Sequence, residues 1–201
     1  LAHTETLDEF YRTAVELGAK HLGFERIGLV VYDSEKELAH GTYGISFEGV
    51  VEDQHHLRLE KVHLPETLSQ TMGRANHVTF RENVLLYQGY EVIGTGCAAA
   101  AAIWDGIQLG WLAIDNALHN TPITHVQLDI LALYALTVGS LLARKRAEQT
   151  AISLTQRLDI ATRSAKIGIW EWDLQTNVLD WDDQMYALYG LVRTETPLTA
   201  A

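Results

Sequence analysis

Apolar and polar residues recur with two distinct periods in the first part of the chain. Apolar residues from Leu7 to Leu22 recur at helical spacing, and Gly23 marks the end of this predicted helix. Two runs rich in β-branched residues follow, Ile27 to Asp33 and Leu38 to Ser46, and four polar residues separate them. This pattern predicts a helix followed by a β-hairpin with a four-residue loop.

The pattern is less regular from Gly49 to Leu64, where no single period dominates. Pro65 then favours the start of a short helix that ends near Met72, because proline fits the first turn of a helix. A brief strand is expected from His77 to Phe80. The stretch from Arg81 to Gly96 contains three glycines among tyrosines and aliphatic residues. This composition predicts a loop with a turn of helix.

Two apolar runs, Cys97 to Trp104 and Ile107 to Asp115, face each other across Asp105-Gly106. An Asp-Gly pair between such runs is a strong hairpin signal, because a type I′ turn needs two positive φ values. The alanines at 98–102 favour a helix when they are taken alone. The turn and the two tryptophans decide for strands, so a second antiparallel hairpin is predicted.

A single long helix is predicted from Pro122 to about Lys166, with Thr121 as its capping residue. No Gly or Pro falls between Gly139 and Gly168, and two helices with a bend at 144–146 are the alternative. In the second half, small and apolar residues alternate at spacings of four and three, which is the seam of a two-stranded coiled coil. The seam residues are Ala147, Ala151, Leu154, Leu158, Ala161 and Ala165. This seam predicts a parallel homodimer.

The order of elements predicts an α+β fold in which an antiparallel sheet of about five or six strands is flanked by helices. The second hairpin, followed by Pro122-Ile123-Thr124 and an apolar helix that runs into Arg144 to Glu148, resembles the closing half of a GAF domain. The first helix and Leu29 to Tyr32 resemble its opening. The resemblance implies a GAF-like sensory domain over residues 1–145, followed by a coiled-coil connector helix at 146–166.

Residues 167–201 form the third expected part of the chain. Ile167 to Gly190 resembles the beginning of a PAS domain, with a strand, a turn at Thr176-Asn177, a second strand and a short helix. A complete domain of this kind needs on the order of a hundred residues, so this shorter segment is a truncated PAS-like fragment that encloses no pocket. The resemblance is to bacterial sensor histidine kinases or diguanylate cyclases, and it implies an output domain outside this chain.

Composition narrows the classes of function. The chain carries 15 Lys and Arg against 26 Asp and Glu, and most of the excess negative charge lies before residue 122. An acidic domain of this kind lacks the basic face that binding to a nucleic-acid backbone requires. One cysteine excludes an internal disulfide, and no apolar run approaches the roughly 18 to 20 residues of a membrane span. We therefore expect a soluble, cytoplasmic protein with no nucleic-acid or membrane partner.

Sequence motifs for catalysis are weak. Gly94 to Ala99 with Asp115 imitates a dinucleotide fingerprint, but a strand and not a helix is expected after it. Cys97 has no base near it and is not followed by His, the pair with which the resembling bilin-binding GAF domains attach their chromophore. His56 and His63 lie too far apart on an extended strand to share a metal. No catalytic residue and no metal ligand is therefore predicted.

Aromatic residues of the GAF-like domain are candidates for lining a small-molecule pocket. The candidate ligand-binding residues are Tyr43, Tyr87, Tyr90, Cys97, Trp104 and Asp115. The charged motif of the resembling cyclic-nucleotide-binding GAF domains is absent, and the sequence identifies no cofactor. A small ligand is expected, and its identity is open.

Three hypotheses for function follow. The first is a sensory input module without catalytic activity, which binds a small ligand and relays its state through a dimeric helix to a downstream kinase or cyclic-dinucleotide enzyme. The second is a ligand-free dimerisation scaffold with a degenerate pocket. The third is an enzyme that works through Cys97, as a few GAF-fold reductases do, and it needs a second cysteine or a nearby base that the sequence does not show. Residues 126–201 contain no histidine, so the long helix is not expected to be the phosphoacceptor helix of a histidine kinase.

Overall fold

The computed structural model describes residues 1, 4–75, 77–193 and 198–199. They belong to two units, Leu1–Arg146 and Ala147–Ala201. The first unit contains helix α1 (Leu7–His21), strands β1 (Arg26–Asp33), β2 (Leu38–Ile45), β3 (Val51–Asp53) and β4 (Arg58–Glu60), a 3-10 turn (Lys61–His63), helix α2 (Glu66–Thr71), and strands β5 (Val78–Gln88), β6 (Glu91–Asp105) and β7 (Ile107–Asp115). Helix α3 (His125–Ala165) begins in the first unit and continues into the second, which also contains β8 (Trp170–Asp173), β9 (Val178–Trp181), α4 (Asp183–Tyr189) and β10 (Leu198–Thr199).

The first unit is an α+β domain built on an antiparallel sheet, as the sequence predicts. The strand order is β3-β2-β1-β7-β6-β5, and β4 also pairs with β2. The sheet has seven strands, because two three-residue strands, β3 and β4, form in the segment where the sequence shows no clear period. The central pair, β1 and β7, places Arg26 opposite Asp115 and Val31 opposite Gly110.

The two faces of the sheet carry different side chains, because successive residues of a strand point to opposite sides. On one face, Ile27 and Leu29 of β1 pack with residues of α1 and α3 in the main hydrophobic core. On the other face, Val30 packs with Trp111 of β7 and Leu68 of α2. Helices α1 and α3 therefore cover one face of the sheet, and α2 lies on the other.

The alanine run at 98–102 is a strand because its neighbours require small side chains. Ala99 and Ala101 are buried in the core with α1 and α3. Helix α3 approaches β6 so closely that a Cβ on Gly139 would lie 2.6 Å from the Trp104 carbonyl oxygen. Pairing of β6 with β5 and β7 and close packing under the helix thus override the helix propensity of alanine.

The predicted hairpin of β6 and β7 is confirmed, but its turn is not type I′. Asp105 pairs with Ile107, and of the two turn residues Gly106 alone has a positive φ, at +69°. A register shift between Ile103 and Trp104 precedes the turn. This bulge alters the local twist, so one left-handed glycine reverses the chain without the second left-handed residue that a type I′ turn needs.

The prediction of a loop from Arg81 to Gly96 is wrong. The segment is a long hairpin in which β5 ends at Gln88, β6 begins at Glu91, and these two residues pair with each other. Gly89 has a φ of +60°, which suits the first position of a two-residue hairpin turn. A register shift around Asn83, which itself has a φ of +55°, breaks the alternation by which strands are recognised in a sequence.

Helix α3 begins at His125 and not at Pro122, so the expectation that Thr121 caps it is wrong. The capping residue is Thr124, whose Oγ1 accepts the Gln127 N–H at 3.2 Å. In return, the Gln127 side-chain oxygen accepts the Thr124 N–H at 2.9 Å. This reciprocal pair is a capping box, and it satisfies backbone groups that would otherwise be unpaired at the start of the helix.

Thr124→Ala is expected to lower the free energy of unfolding by about 1 kcal/mol, because the Gln127 N–H loses its acceptor. The measurement is urea denaturation followed by circular dichroism. Thr121→Ala is the matched control and is expected to change the stability by less than about 0.5 kcal/mol. Equal losses for the two variants would contradict the assignment of Thr124 as the cap.

Helix α3 is one unbroken helix of 41 residues, so the alternative of two separate helices does not occur. At 1.5 Å per residue the helix is about 60 Å long.

Contrary to the expectation from the sequence, helix α3 is long and apolar enough to cross a membrane by length and composition. The core helix of a globular domain passes the same test, and here Leu131, Val138 and Leu142 are buried in the domain core. In the described structure 28% of this apolar window is buried, so packing on the sheet accounts for part of its composition.

The second unit contains a small sheet and a short helix. Strands β8 and β9 form a hairpin with Trp170 opposite Trp181, and β10 pairs with β9. Asp182 caps α4, and its side chain accepts the Met185 N–H at 2.8 Å. Large apolar side chains remain exposed, including Trp170 at 57% and Trp172 at 44%. A sheet of so few short strands buries little apolar surface by itself.

Candidate functional site

A cavity lies on the face of the first-unit sheet opposite to α1 and α3. Its volume is about 160 Å³. Its floor contains the small residues Gly28, Ala98 and Ala113 of the paired strands β1, β6 and β7. A Cβ on Gly28 would meet no atom nearer than the Tyr43 carbonyl oxygen, at 3.9 Å. The floor is therefore open because its side chains are small.

The walls of the cavity come from three segments. Gln54 and Leu57 belong to the connection between β3 and β4, and the side chain of Gln54 lies against Gly44 of β2. Leu68 of α2 and Leu86 of β5 supply further apolar wall. A concave lining that is mostly apolar with a few polar groups is typical of small-molecule sites.

Arg26 brings a buried positive charge to one end of the cavity. Its side chain is held by two backbone carbonyls, since Nε donates to Ile45 O at 3.0 Å and Nη2 donates to Tyr87 O at 2.9 Å. Its Nη1 lies 3.5 Å from Asp115 Oδ1, which is within ion-pair range. Among the described residues, however, Nη1 has no hydrogen-bond partner. Buried polar atoms are usually paired, so the ion pair is loose at this end of the cavity.

Asp115 faces Arg26 from the end of β7 and lines the same part of the cavity. Its Oδ1 accepts the Ala117 N–H at 3.0 Å, and 20% of its side chain is exposed. Burial is the largest effect on this carboxyl and raises the pKa of Asp115. The charge of Arg26 and the Ala117 N–H act in the opposite direction, and the charge of Glu25 raises the pKa further. Arg26 and the Ala117 N–H therefore offset only part of the cost of burying the charged carboxylate.

Two of the six ligand-binding residues predicted from the sequence, Tyr87 and Asp115, line this cavity. Tyr90 borders a neighbouring groove that it shares with Tyr87. Its hydroxyl oxygen accepts the Arg58 N–H at 2.8 Å, so the tyrosine fixes the start of β4. The structure thus brings three of the six residues to adjoining surfaces.

The other three predicted residues are not among those that line the cavity. Tyr43 packs at the main core, and its hydroxyl donates to an Asp8 carboxylate oxygen of α1 at 3.0 Å. Trp104 lies near the end of β6, against α3. Cys97 is half-buried on β6, and its backbone N–H donates to Asn116 Oδ1 at 2.8 Å. Burial raises the pKa of the Cys97 thiol, so its surroundings do not favour the reactive thiolate.

The lining of the cavity also includes polar side chains of four chemical types. Its polar side chains include a guanidinium, a carboxylate, an amide and a hydroxyl, from Arg26, Asp115, Gln54 and Thr67. In the parts of the chain that the structure describes, no group of three or more His, Cys, Asp or Glu is placed to hold a metal ion. A ligand in this cavity meets apolar walls and one charged end.

Sequence reasoning misses Arg26, Gly28 and Gln54 as lining residues. The predicted first strand begins at Ile27, so Arg26 is not placed on it. A strand that begins one residue earlier would put Arg26, Gly28 and Val30 on one face, and this alternation is the signal that was available. The meeting of Arg26 with Asp115 depends on the register of β1 and β7, which local sequence does not specify.

Comparison with known proteins identifies the class of fold. No family model matches the sequence. The GAF domain of a phosphoenolpyruvate-protein phosphotransferase from Coxiella burnetii matches with a TM-score of 0.57 and 15% identity, over 74% of this chain and 89% of that chain. The GAF-B domain of DevS from Mycobacterium smegmatis matches with a TM-score of 0.53 and 12% identity, over 71% of this chain and 96% of that chain. The fold is therefore GAF-like, and at these identities the likeness shows the fold alone.

One curated relative resembles a short part of the sequence. The probable diguanylate cyclase DgcE of Escherichia coli strain K12 is 44% identical over 47 residues. These residues are 23% of this chain and 4% of that protein. The chain therefore spans a small fraction of the length of this relative.

Proposed function

We propose that this chain is a sensory input module of a bacterial signalling protein, which binds a small ligand and relays its state to a separate output domain. The observation that carries this proposal is the continuity of α3. Leu131 and Val138 of its first half are fully buried in the domain core, whereas Leu154 and Leu158 of its second half are 60% and 59% exposed. One helix thus joins the domain that bears the cavity to a surface suited to another helix.

The partner that fits this surface is a second copy of the chain, aligned in parallel. The proposed seam residues are exposed in the single chain, and they are Ala147, Ala151, Leu154, Leu158, Ala161 and Ala165. Val126 and Leu133 occupy equivalent heptad positions upstream, and they are 65% and 66% exposed. Small residues in half of the seam favour close but weak packing, which suits a helix that changes register between two states.

The remaining parts of the proposal concern the domains and the output. Residues 1–145 are proposed to be the GAF-like sensory domain, 146–166 the connector, and 167–201 the beginning of a PAS-like domain. The short likeness to DgcE supports a cyclic-dinucleotide enzyme as the output, and a histidine kinase is the alternative. Catalysis then belongs to the output domain, and the module works in the cytoplasm.

Coupling requires that the ligand bind two arrangements of the helix with different affinity. The alternation along β1 offers a path, because Arg26 and Gly28 line the cavity while Ile27 and Leu29 pack with α3 and α1 on the other face. A change in the cavity that shifts β1 therefore reaches the helix through direct contacts. The second candidate function is a dimerisation scaffold without a ligand, which the same exposed seam would serve.

The test measures spin-label distances across the dimer at positions Gln149 and Thr162. A thermal-shift screen of nucleotides and small metabolites first identifies a ligand. We expect saturating ligand to change at least one distance distribution, and we expect Gly28→Val to abolish the response by filling the floor of the cavity. If ligand leaves both distributions and the dimer affinity unchanged, the relay is refuted and the scaffold function takes its place.

A further inference from the structure

The ion pair at the end of the cavity is not explained by stability alone. Replacing a buried ion pair by apolar residues of similar volume is often neutral or stabilising. Arg26 is 5% exposed as a whole residue, yet its Nη1 stays 3.5 Å from Asp115 Oδ1 and makes no hydrogen bond with the described residues. A pair retained in this loose geometry, at the one charged end of a mostly apolar cavity, points to a role in binding.

Asp115 keeps acceptor capacity on the side of the cavity. An ionised carboxylate has about four lone-pair sites. One of these accepts the Ala117 N–H, and Arg26 is close without hydrogen bonding. The side chain lines the cavity and is 20% exposed, so a hydrogen-bond donor on a ligand can reach it.

The fixed charges near this carboxylate leave an excess of negative charge. Arg26 supplies a positive charge, whereas Asp115 and Glu25 each supply a negative one, and Glu25 acts on Asp115 through its charge. Glu25 is fixed in place because its carboxylate accepts the backbone N–H groups of His119 and Thr121 at 2.8 and 3.1 Å. A monocation would neutralise this excess, whereas a carboxylate ligand would add a like charge beside Asp115.

The rest of the lining defines the body of the ligand. The cavity has a volume of about 160 Å³, and its apolar walls are formed by Val30, Leu57, Leu68 and Leu86. Apolar walls bind an aliphatic group by removing its surface from water. A ligand with one cationic end and a compact apolar body therefore matches both parts of the site.

We infer that the cavity takes a small molecule with one protonated amine on a compact aliphatic body, and that the Asp115 carboxylate binds the amine. This inference rests on the proposed function, because it names the class of ligand for the same cavity. Two backbone carbonyls hold Arg26, and it acts on the Asp115 carboxylate through its charge, with Nη1 3.5 Å from Oδ1. Glu25 contributes through its charge.

Three probes of similar size test the inference: isobutylamine, isobutanol and isovalerate. Binding to the whole chain is measured by NMR titration at pH 8, where the alkylamine is charged. We expect isobutylamine to bind roughly tenfold or more tightly than isobutanol, because its ammonium group forms an ion pair with the Asp115 carboxylate, whereas the hydroxyl donates a hydrogen bond but carries no charge. Isovalerate is expected not to bind.

Variants separate the charged end from the walls. Asp115→Asn is expected to lower the affinity for isobutylamine by roughly tenfold and to leave the affinity for isobutanol nearly unchanged. Glu25→Gln removes the charge and keeps an acceptor oxygen for one of the two backbone N–H groups, because the His119 and Thr121 N–H groups are bound by different carboxylate oxygens. It serves where Asp115→Asn does not fold, its own folding is checked by circular dichroism, and it is expected to lower the affinity for isobutylamine alone. Gly28→Val is expected to lower the affinity for every probe that binds, because the added side chain fills the floor of the cavity. That result would locate binding in the cavity.

The outcomes distinguish this inference from the function on which it rests. Equal affinities for amine and alcohol, a preference for isovalerate, or no effect of the Asp115 and Glu25 variants would overturn the amine inference while leaving a ligand-binding cavity. Failure of all three probes to bind would also overturn it. The proposed function is then decided separately, by the metabolite screen and the spin-label distances.

Discussion

Replacing both Leu154 and Leu158 by Glu is expected to convert the proposed dimer into a monomer. Each leucine that is buried in an interface contributes about 1.5–3 kcal/mol, and two chains contribute four such side chains. The substitutions also place like charges at facing seam positions, which opposes association. The dissociation constant is therefore expected to rise on the order of a thousandfold or more. Sedimentation velocity at concentrations where the wild-type chain is dimeric measures this change.

The matched control replaces Ile152 and Ile160 by Glu. These isoleucines are 52% and 65% exposed, close to the values of the two leucines, but they lie at outer heptad positions of the same helix. The control changes charge and apolar surface by the same amount, so it is expected to remain dimeric. A monomer in the control, or an unchanged mass in the leucine variant, would show that the predicted seam is not the interface.

Local signals account for the elements that the sequence predicts correctly. Gly23 ends α1 and has a φ of +71°, so the glycine stop signal has its expected physical cause. The Asp105-Gly106 pair reverses the chain between β6 and β7, although a bulge changes the turn type. The absence of Gly and Pro between 140 and 167 is matched by one unbroken helix. Each of these features depends on a few neighbouring residues.

Competing local signals account for the errors. At the start of α3, Thr121-Pro122 and Thr124 with Gln127 both resemble helix starts, and the capping box wins because it pairs two backbone groups in the folded chain. In β5, the left-handed Asn83 breaks the alternation, so a strand resembles a loop. The sequence alone does not rank such signals, because their free energies are similar.

The cavity is the part of the protein that local patterns reveal least. Its floor is assembled from Gly28, Ala98 and Ala113, three residues on three strands that meet only through sheet register. Aromatic residues are a reasonable guess for a pocket lining, and Tyr87 lines the cavity, but Tyr43 points its hydroxyl to α1. A one-residue slip of register would exchange the two faces, so only the pairing determines which side chains meet.

Gly110→Ala tests this pairing and is expected to have the largest effect of any single added methyl group in the first unit. A Cβ at position 110 would overlap the Val30 carbonyl oxygen and lie 2.9 Å from Val31 Cα. Both atoms belong to the backbone of β1, so no side-chain rotation relieves the overlap. We expect the free energy of unfolding in urea to fall by at least about 3 kcal/mol.

Gly28→Ala is the control on the same pair of strands, because its new methyl group would meet nothing nearer than 3.9 Å. Its stability is expected to stay within about 1 kcal/mol of wild type, since the methyl group enters the open floor of the cavity and restricts the unfolded chain. A Gly110→Ala variant as stable as this control would contradict the register in which Val31 lies opposite Gly110. The same register places Arg26 opposite Asp115, so that result would also remove the charged end of the proposed ligand site.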